Sequence, residues 1–315
     1  MFARPHPPIE ISRRCRLLAF GASLALAFCA VAHAQVIAGP YVPSPSVIVD
    51  RMLALAQVGP RDTLVDLGSG DGRIVITAAR RYGARGYGVD IDPKLVALVR
   101  DNAERAGVGD LVQFEERDLF ATDLSRATVV TIYLLPGSAT QLVDKLRGEL
   151  RPGTRVVSHD YPLGPWREDG VEVLDVPEKV GISGSSRTVL YLYTVPARVG
   201  GTWDLFLPGR SQPLRLAVTD APFRTSASVV ENGQTRPLPA FSVRADEVVA
   251  EIPRSPGRPP LRLTGKAEGD VMTGTIADLP GVGWRAVRVE AGKKTRGSLR
   301  LRRIGEPAAA SALVS

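Results

Sequence analysis

Cysteine is nearly absent from this chain. The two that occur, Cys15 and Cys29, fall within the first 29 residues. A disulfide framework, a thiol nucleophile and a cysteine-ligated metal are therefore excluded from the rest of the sequence. Histidine is almost as scarce, with His6, His33 and His159 making up the full set. That count excludes a zinc site of the His/Cys kind. A Ser-His-Asp triad would have to use His159, and no nucleophile elbow precedes it. A strong excess of one charge is also missing. The formal net charge is +7, and Arg4, Arg13, Arg14 and Arg16 against Glu10 hold three of those charges near the start. The remaining basic residues lean towards the C-terminus without forming a compact patch, so no nucleic-acid partner is expected.

What is present begins with a leader. Three arginines, Arg13, Arg14 and Arg16, precede an apolar run from Leu17 to Ala32, and Ala32-His33-Ala34 follows. Basic start, short apolar stretch and small-x-small ending predict a signal peptide over residues 1–34, cut after Ala34. The run is short for a membrane span. Ser12-Arg13-Arg14 partly matches a twin-arginine signal, and an uncleaved anchor is the alternative.

From about residue 45 to 195, strand-like runs alternate with helical periodicity. Helices are expected at Ser46–Val58, with Val47 and Met52/Leu53 inward, at Arg73–Tyr82, from Pro93 to Gly107 with Leu98/Val99 inward, and at Gly137–Leu150. Strands are expected at Thr63–Leu67, Gly86–Ile91, Val112–Glu116, Thr128–Leu134 and Thr154–His159. Val171–Val176 and Thr188–Val195 then follow with no helix between them, which predicts an antiparallel pair at one edge of a parallel sheet. After Pro196 the helical period vanishes. Short strands from Trp203 to Arg303, separated by turns such as Asn232-Gly233 and Glu268-Gly269-Asp270, predict a small antiparallel barrel or sandwich over 202–305. Residues 306–315 read as a flexible tail.

The chemistry is expected where the first strand ends. Gly68, Ser69, Gly70, Asp71 and Gly72 follow Asp66-Leu67. Bare backbone lets a ligand approach closely, and a helix N-terminus follows. The spacing G-x-G-x-G differs from the G-x-G-x-x-G of dinucleotide sites. An acid just before the loop, Asp66, repels a pyrophosphate but suits a cationic ligand. Asp90 ends the second strand, where a carboxylate accepts ribose hydroxyls. Asp118 follows the third strand, in position to accept from an adenine amino group. The set describes an adenosine carrying a cationic amino-acid tail, S-adenosyl-L-methionine.

At these residues the chain resembles a known family. The run Val65 to Arg73, with Gly88-Val89-Asp90, is similar to the class I S-adenosylmethionine-dependent methyltransferases. More narrowly it resembles the lysine methyltransferases of adenine nucleotide translocase and the ATP synthase c-subunit, with their bacterial relatives. The further marks are Pro40-Tyr41-Val42-Pro43, and Tyr161-Pro162 with Trp166. The resemblance covers about residues 40–195 and implies a Rossmann-like seven-stranded methyltransferase sheet over residues 35–197, its last strand antiparallel. It also implies methyl transfer to a lysine amine, with Asp66, Gly68, Gly70, Asp90 and Asp118 lining the cofactor.

An amine acceptor must lose a proton before it attacks, and a less polar pocket helps. Tyr133-Leu134-Leu135-Pro136 stands where methyltransferases of amide or base nitrogens show an Asn-Pro-Pro-Tyr-like motif. Tyr41, Tyr133 and His159, with Asp160 and Trp166, are the candidates for the acceptor pocket. Each has a plain structural alternative: core packing for Tyr133, strand capping for His159-Asp160, and sealing of the sheet edge for Trp166. Gly201-Thr202-Trp203 faintly resembles the opening of a lipocalin-like barrel, with Trp284-Arg285 packing across it. Basic residues from Arg285 to Arg303 would face acidic protein or anionic lipid. The expected partner is a protein or amine substrate, and membrane association would come from an uncleaved leader. The leader points to the periplasm, while the cofactor is made in the cytosol. Export in a folded state, anchoring, or a non-catalytic binding protein that keeps the fold would each reconcile the two.

Overall fold

The structure is a computed structural model and describes residues 41–289, apart from residues 223, 232 and 256. The expected leader, the strand expected at Ser298–Arg303, the tail and the basic residues from Lys293 onward lie outside the described residues.

The first half alternates helix and strand: α1 (Ser46–Leu55), β1 (Thr63–Leu67), α2 (Arg73–Tyr82), β2 (Arg85–Asp90), α3 (Pro93–Arg105), β3 (Val112–Glu116), β4 (Val129–Ile132), α4 (Pro136–Glu149) and β5 (Arg155–His159). Helix α3 starts where Asp92 accepts from the Lys94 backbone N–H at 2.8 Å and Pro93 takes the first helical position. The helices bury the expected Met52, Leu53 and Val99, but the margins of their stripes differ from those expected. In α1 the buried residues are Ile48, Val49, Met52 and Leu53, and in α3 Val96, Val99 and Ala103. Val47 and Leu98 face solvent instead. An apolar residue at the margin of a helical stripe satisfies the 3.6-residue period almost as well as one at its centre, so periodicity alone misplaces it.

The chain continues through β6 (Gly170–Asp175), a 3₁₀ turn at Pro177–Lys179, the short helix α5 (Val180–Ser183) and β7 (Arg187–Thr194). The helical turns between β6 and β7 correct the expectation of none: so short a stretch is too brief to display an amphipathic period. The seven strands run in the order β3-β2-β1-β4-β5-β7-β6. Strands β1 to β5 are parallel, and β7 slots between β5 and β6, antiparallel to both. Apolar residues on the two faces form two cores, one under α1, α2 and α3 and one under α4.

The second sheet holds β8 (Gly201–Phe206), β9 (Leu214–Ala221), β10 (Arg224–Glu231), β11 (Gln234–Pro237), β12 (Ala240–Arg244), β13 (Glu247–Ile252), β14 (Leu261–Glu268), β15 (Val271–Ile276) and β16 (Leu279–Arg288). The order β11-β10-β9-β8-β16-β15-β14-β13-β12 is antiparallel throughout, and the sheet curls into a half-barrel. Alternate residues point into a core of their own around Trp203 and Trp284. Trp203 is fully buried and donates to Val199 O at 2.7 Å. Arg288 lies over its ring, 4.3 Å from the ring centroid. Arg288 also bonds Asp270 at 2.8 Å, which takes it out of the expected basic face.

Both sheets belong to one compact unit. Arg147 of α4 pairs with Asp220 of β9 at 2.9 Å, and Ala197 N–H donates to Ala245 O at 2.6 Å. These contacts lie at the amino ends of the parallel strands. The half-barrel therefore stands at the end of the sheet opposite the glycine loop.

Candidate active site

The chain runs β1, β2, β3 in one direction across the sheet and then returns to place β4 and β5 on the other side of β1. That reversal opens a crevice beyond the carboxyl ends of β1 and β4, the usual ligand position in such sheets. The glycine loop occupies its floor. Gly68 and Ser69 N–H groups both donate to Val89 O, at 3.0 and 2.8 Å, and fold the loop over the end of β2. Gly70 and Gly72 have φ of 54° and 76°, a region that side chains disfavour. A β-carbon on Gly70 would lie 2.4 Å from the Tyr41 ring, and one on Gly72 would lie 1.9 Å from Val99. Gly70 thus leaves room above the loop, and Gly72 lets the loop pack on α3.

Three acids surround it. Asp66 is buried in β1 and accepts from Thr131 Oγ1 of β4 at 2.7 Å. Burial pushes its pKa up from 3.8 to about 7, against the Thr131 hydrogen bond and with help from the charges of Asp90 and Asp71. Asp90 accepts from the Gly70 N–H at 2.9 Å through one oxygen and from the Asp92 N–H at 3.0 Å through the other. Each oxygen is held in place and keeps a further lone pair for a ligand. Asp118 is exposed and caps a 3₁₀ turn by accepting from Phe120 N–H at 2.8 Å. Arg117 N–H bonds Asp90 O at 3.0 Å and ties that turn to the end of β2. Ser69 Oγ is buried beside them without a hydrogen-bond partner among the described residues.

Sequence reasoning missed a clasp over this loop. Arg73 grips Asp71 through both carboxylate oxygens, at 2.6 to 3.1 Å, and donates to Ser44 O at 2.6 Å. Burial alone would raise Asp71; the Arg73 hydrogen bonds and charge outweigh it and hold the acid below its usual range. The clasp lays residues 41–45 across the loop, with Tyr41 over Gly70 and 45% exposed. The acid-x-arginine spacing of Asp71 and Arg73 was the available signal.

On the other side of the crevice the ends of β4 and β5 bring together Tyr133, His159 and Asp160. The Tyr133 and His159 rings stack with centroids 3.9 Å apart. His159 is fully buried; Ser44 Oγ lies 3.0 Å from Nδ1, and Nε2 lacks a hydrogen-bond partner among the described residues. Burial pulls its pKa down to about 4, the Lys179 charge adding to this and Asp160 opposing it. The ring is therefore neutral at pH 7. Asp160 accepts from Tyr133 OH at 3.4 Å and from Lys179 Nζ at 2.5 Å. Burial and the Asp160 charge hold the Tyr133 phenol well above its usual range, so it stays protonated. Lys179 and Ser44 were not anticipated. Trp166 does not join this group. It is buried 5.1 Å from Tyr193, with Arg147 at 5.8 Å over its ring, and belongs to the core.

The ANTKMT methyltransferase domain profile matches residues 66–170, which hold the loop, the three acids and the Tyr133–Asp160 group. A protein-lysine N-methyltransferase of Saccharolobus islandicus is 40% identical over 157 residues, covering 50% of this chain and 93% of that protein. The chain belongs to this methyltransferase family. The mouse adenine nucleotide translocase lysine N-methyltransferase is 39% identical, over 48% of this chain and 66% of its own length. The mouse lysine N-methyltransferase of the ATP synthase c-subunit is 38% identical, over 41% of this chain and 52% of its own. This methyltransferase thus spans nearly all of the archaeal relative but less than two thirds of the two mouse proteins. Among solved structures, an RNA methyltransferase from Salinibacter ruber in complex with S-adenosyl-L-homocysteine is 51% identical. The match covers 50% of this chain and 96% of that one, with a TM-score of 0.46.

Proposed function

We propose that this enzyme uses S-adenosyl-L-methionine to methylate a lysine ε-amine of a protein. The observation that carries the reading is the crevice itself. A bare glycine loop, the Ser69 hydroxyl with no partner among the described residues, the ordered Asp90 carboxylate and the buried Asp66 gather at the carboxyl ends of β1 and β2. These residues fit the cofactor. Asp90 would accept from the ribose hydroxyls and Asp118 from the adenine amine. Asp66, at the floor, would face the cationic end, and a cation there would draw it towards its ionised form. When bound, the cofactor supplies a sulfonium methyl carbon that the acceptor nitrogen's lone pair takes as the carbon–sulfur bond breaks onto sulfur. The chain's own work is to orient and to exclude water. Tyr41 roofs the loop, and Tyr133, backed by the buried neutral His159 ring, supplies an aromatic wall in which an amine is not held by charge. The lysine acceptor is supported by the named relatives and by the absence of an amide-recognising Asn after β4.

Calorimetric titration of S-adenosyl-L-homocysteine into the full chain tests the cofactor. Micromolar binding that Asp90→Ala removes is the expected result. No binding by folded protein would sink the reading. Isotope-labelled cofactor with membrane and soluble protein fractions, followed by mass spectrometry of digests, identifies the acceptor as N-methyl-lysine or refutes it.

The leader supports a second element of the proposal: the enzyme is exported and works at the periplasm or its membrane. Fusion of residues 1–34 to alkaline phosphatase gives activity outside the cytosol if so, and none if the stretch is not a signal.

A further inference from the structure

Lys179 is a buried cation next to the acceptor side of the crevice, 3% exposed. A buried ammonium ion is costly unless paired and hydrogen-bonded. Lys179 meets both conditions by donating to Asp160 Oδ2 at 2.5 Å and to Arg187 O at 2.8 Å. Asp160 is held just as firmly. It sits at φ 62°, directly after β5. Its N–H donates to Val189 O at 2.7 Å, and its Oδ1 accepts from Val189 N–H at 3.2 Å. The groups facing this carboxylate are Lys179, Tyr133 OH at 3.4 Å, and His159 Nε2 at 3.6 Å, with Tyr161 next in the chain. Lys179 is the only permanent charge among them.

Asp160 serves Tyr133. A phenol that donates to a carboxylate presents its oxygen lone pairs in a fixed direction. A bare carboxylate there would also do harm. An opposite charge within about 4–6 Å favours an ammonium ion by one to three pKa units. Each unit lowers the neutral amine fraction about tenfold at neutral pH. An amine held as ammonium has no lone pair to give.

Resting on the proposed amine methylation, we propose that Lys179 is a positioning residue that neutralises Asp160, so that the carboxylate orients Tyr133 without trapping the acceptor as an ammonium ion. The fold thereby keeps a hydrogen-bond anchor at the end of β5 while withholding its charge from the substrate.

The test uses the full chain saturated with S-adenosyl-L-homocysteine and n-butylamine, a lysine side-chain analogue, as the probe. At pH 7 the probe is a cation. Lys179→Met and Lys179→Gln should bind it at least about tenfold more tightly than the parent protein. Lys179→Arg, which keeps the charge, should not, and adding Asp160→Asn to Lys179→Met should abolish the gain. Retained affinity for S-adenosyl-L-homocysteine shows that a variant is folded. Equal or weaker n-butylamine binding by the folded neutral variants would overturn the proposal. If neither neutral variant folds, Asp160→Asn alone decides: it leaves Lys179 uncompensated and should weaken the probe about tenfold, and unchanged affinity overturns the proposal. Failure of the parent protein to bind S-adenosyl-L-homocysteine would instead strike the cofactor reading, and is seen before any amine is added.

Discussion

Trp203 and Asp66 both carry polar atoms into a core, but under opposite terms. In the half-barrel, Trp203 donates to Val199 O, Trp284 donates to the carbonyls of Thr264 and Thr275, and Asp204 accepts from Arg215. At the carboxyl ends of the parallel strands Asp66 is pushed towards neutrality by burial, and Asp160 adopts a left-handed backbone. The buried side-chain atoms without a partner among the described residues are Ser69 Oγ, His159 Nε2 and Thr188 Oγ1, all in the parallel-sheet half. Buried polar groups are normally satisfied, and exceptions gather where a ligand completes them. One sheet is arranged for stability, and the strand ends of the other are held ready for a ligand at a cost in stability.

That contrast can be broken by mutation. Trp203→Ala should cost about 3–5 kcal/mol of unfolding free energy by denaturant titration, yet leave cofactor affinity unchanged in protein that remains folded. A parallel loss of affinity would mean that the two sheets are coupled. Asp66→Asn should do the reverse, abolishing cofactor binding while stabilising the fold. Burial pushes the wild-type acid up from its ordinary 3.8 to about 7 in the folded state. Its burial therefore carries no charge penalty below pH 3.8; the penalty grows between pH 3.8 and 7 and levels off above that. The variant's advantage should thus be small near pH 4 and reach up to about 4 kcal/mol at pH 8.

His159 sharpens the comparison with the opposite sign. Its folded pKa of about 4 lies below the ordinary 6.5, so the unfolded chain binds the extra proton between those values. Its contribution, about 3 kcal/mol, is present above pH 6.5 and fades as pH falls to 4. His159→Asn should flatten this part of the acid-stability curve. Gly70→Ala should cost about 1–2 kcal/mol through its positive φ, and displace Tyr41 with a loss of cofactor affinity measurable by calorimetry. Arg236→Ala, an exposed partner of Glu231 in the half-barrel, should leave the melting temperature unchanged.

The loop and the three acids were legible because their spacing follows from strand ends: a strand, a bare turn and a helix occupy contiguous residues. Tyr133, His159 and Asp160 were legible as neighbours for the same reason, each closing a strand. Ser44 and Lys179 were not. Each meets the β5 end across a long stretch of chain, and a single serine or lysine carries no periodic or spacing signal. Trp166 was a candidate because it follows Tyr161-Pro162 in the resemblance, but its ring packs on Tyr193 in the core.

The sequence by itself determined the alternation of strands and helices, the glycine loop, the acids at successive strand ends and the change to antiparallel structure after residue 196. Local periodicity and turn chemistry act over a few residues, and they are written in contiguous text. The tertiary structure alone decided that β7 inserts between β5 and β6. It also decided that Arg73 clasps residues 41–45 over the loop, that Lys179 pairs with Asp160, and that the half-barrel docks away from the crevice. Each depends on which distant surfaces bury against one another, and that choice follows from packing the whole chain at once.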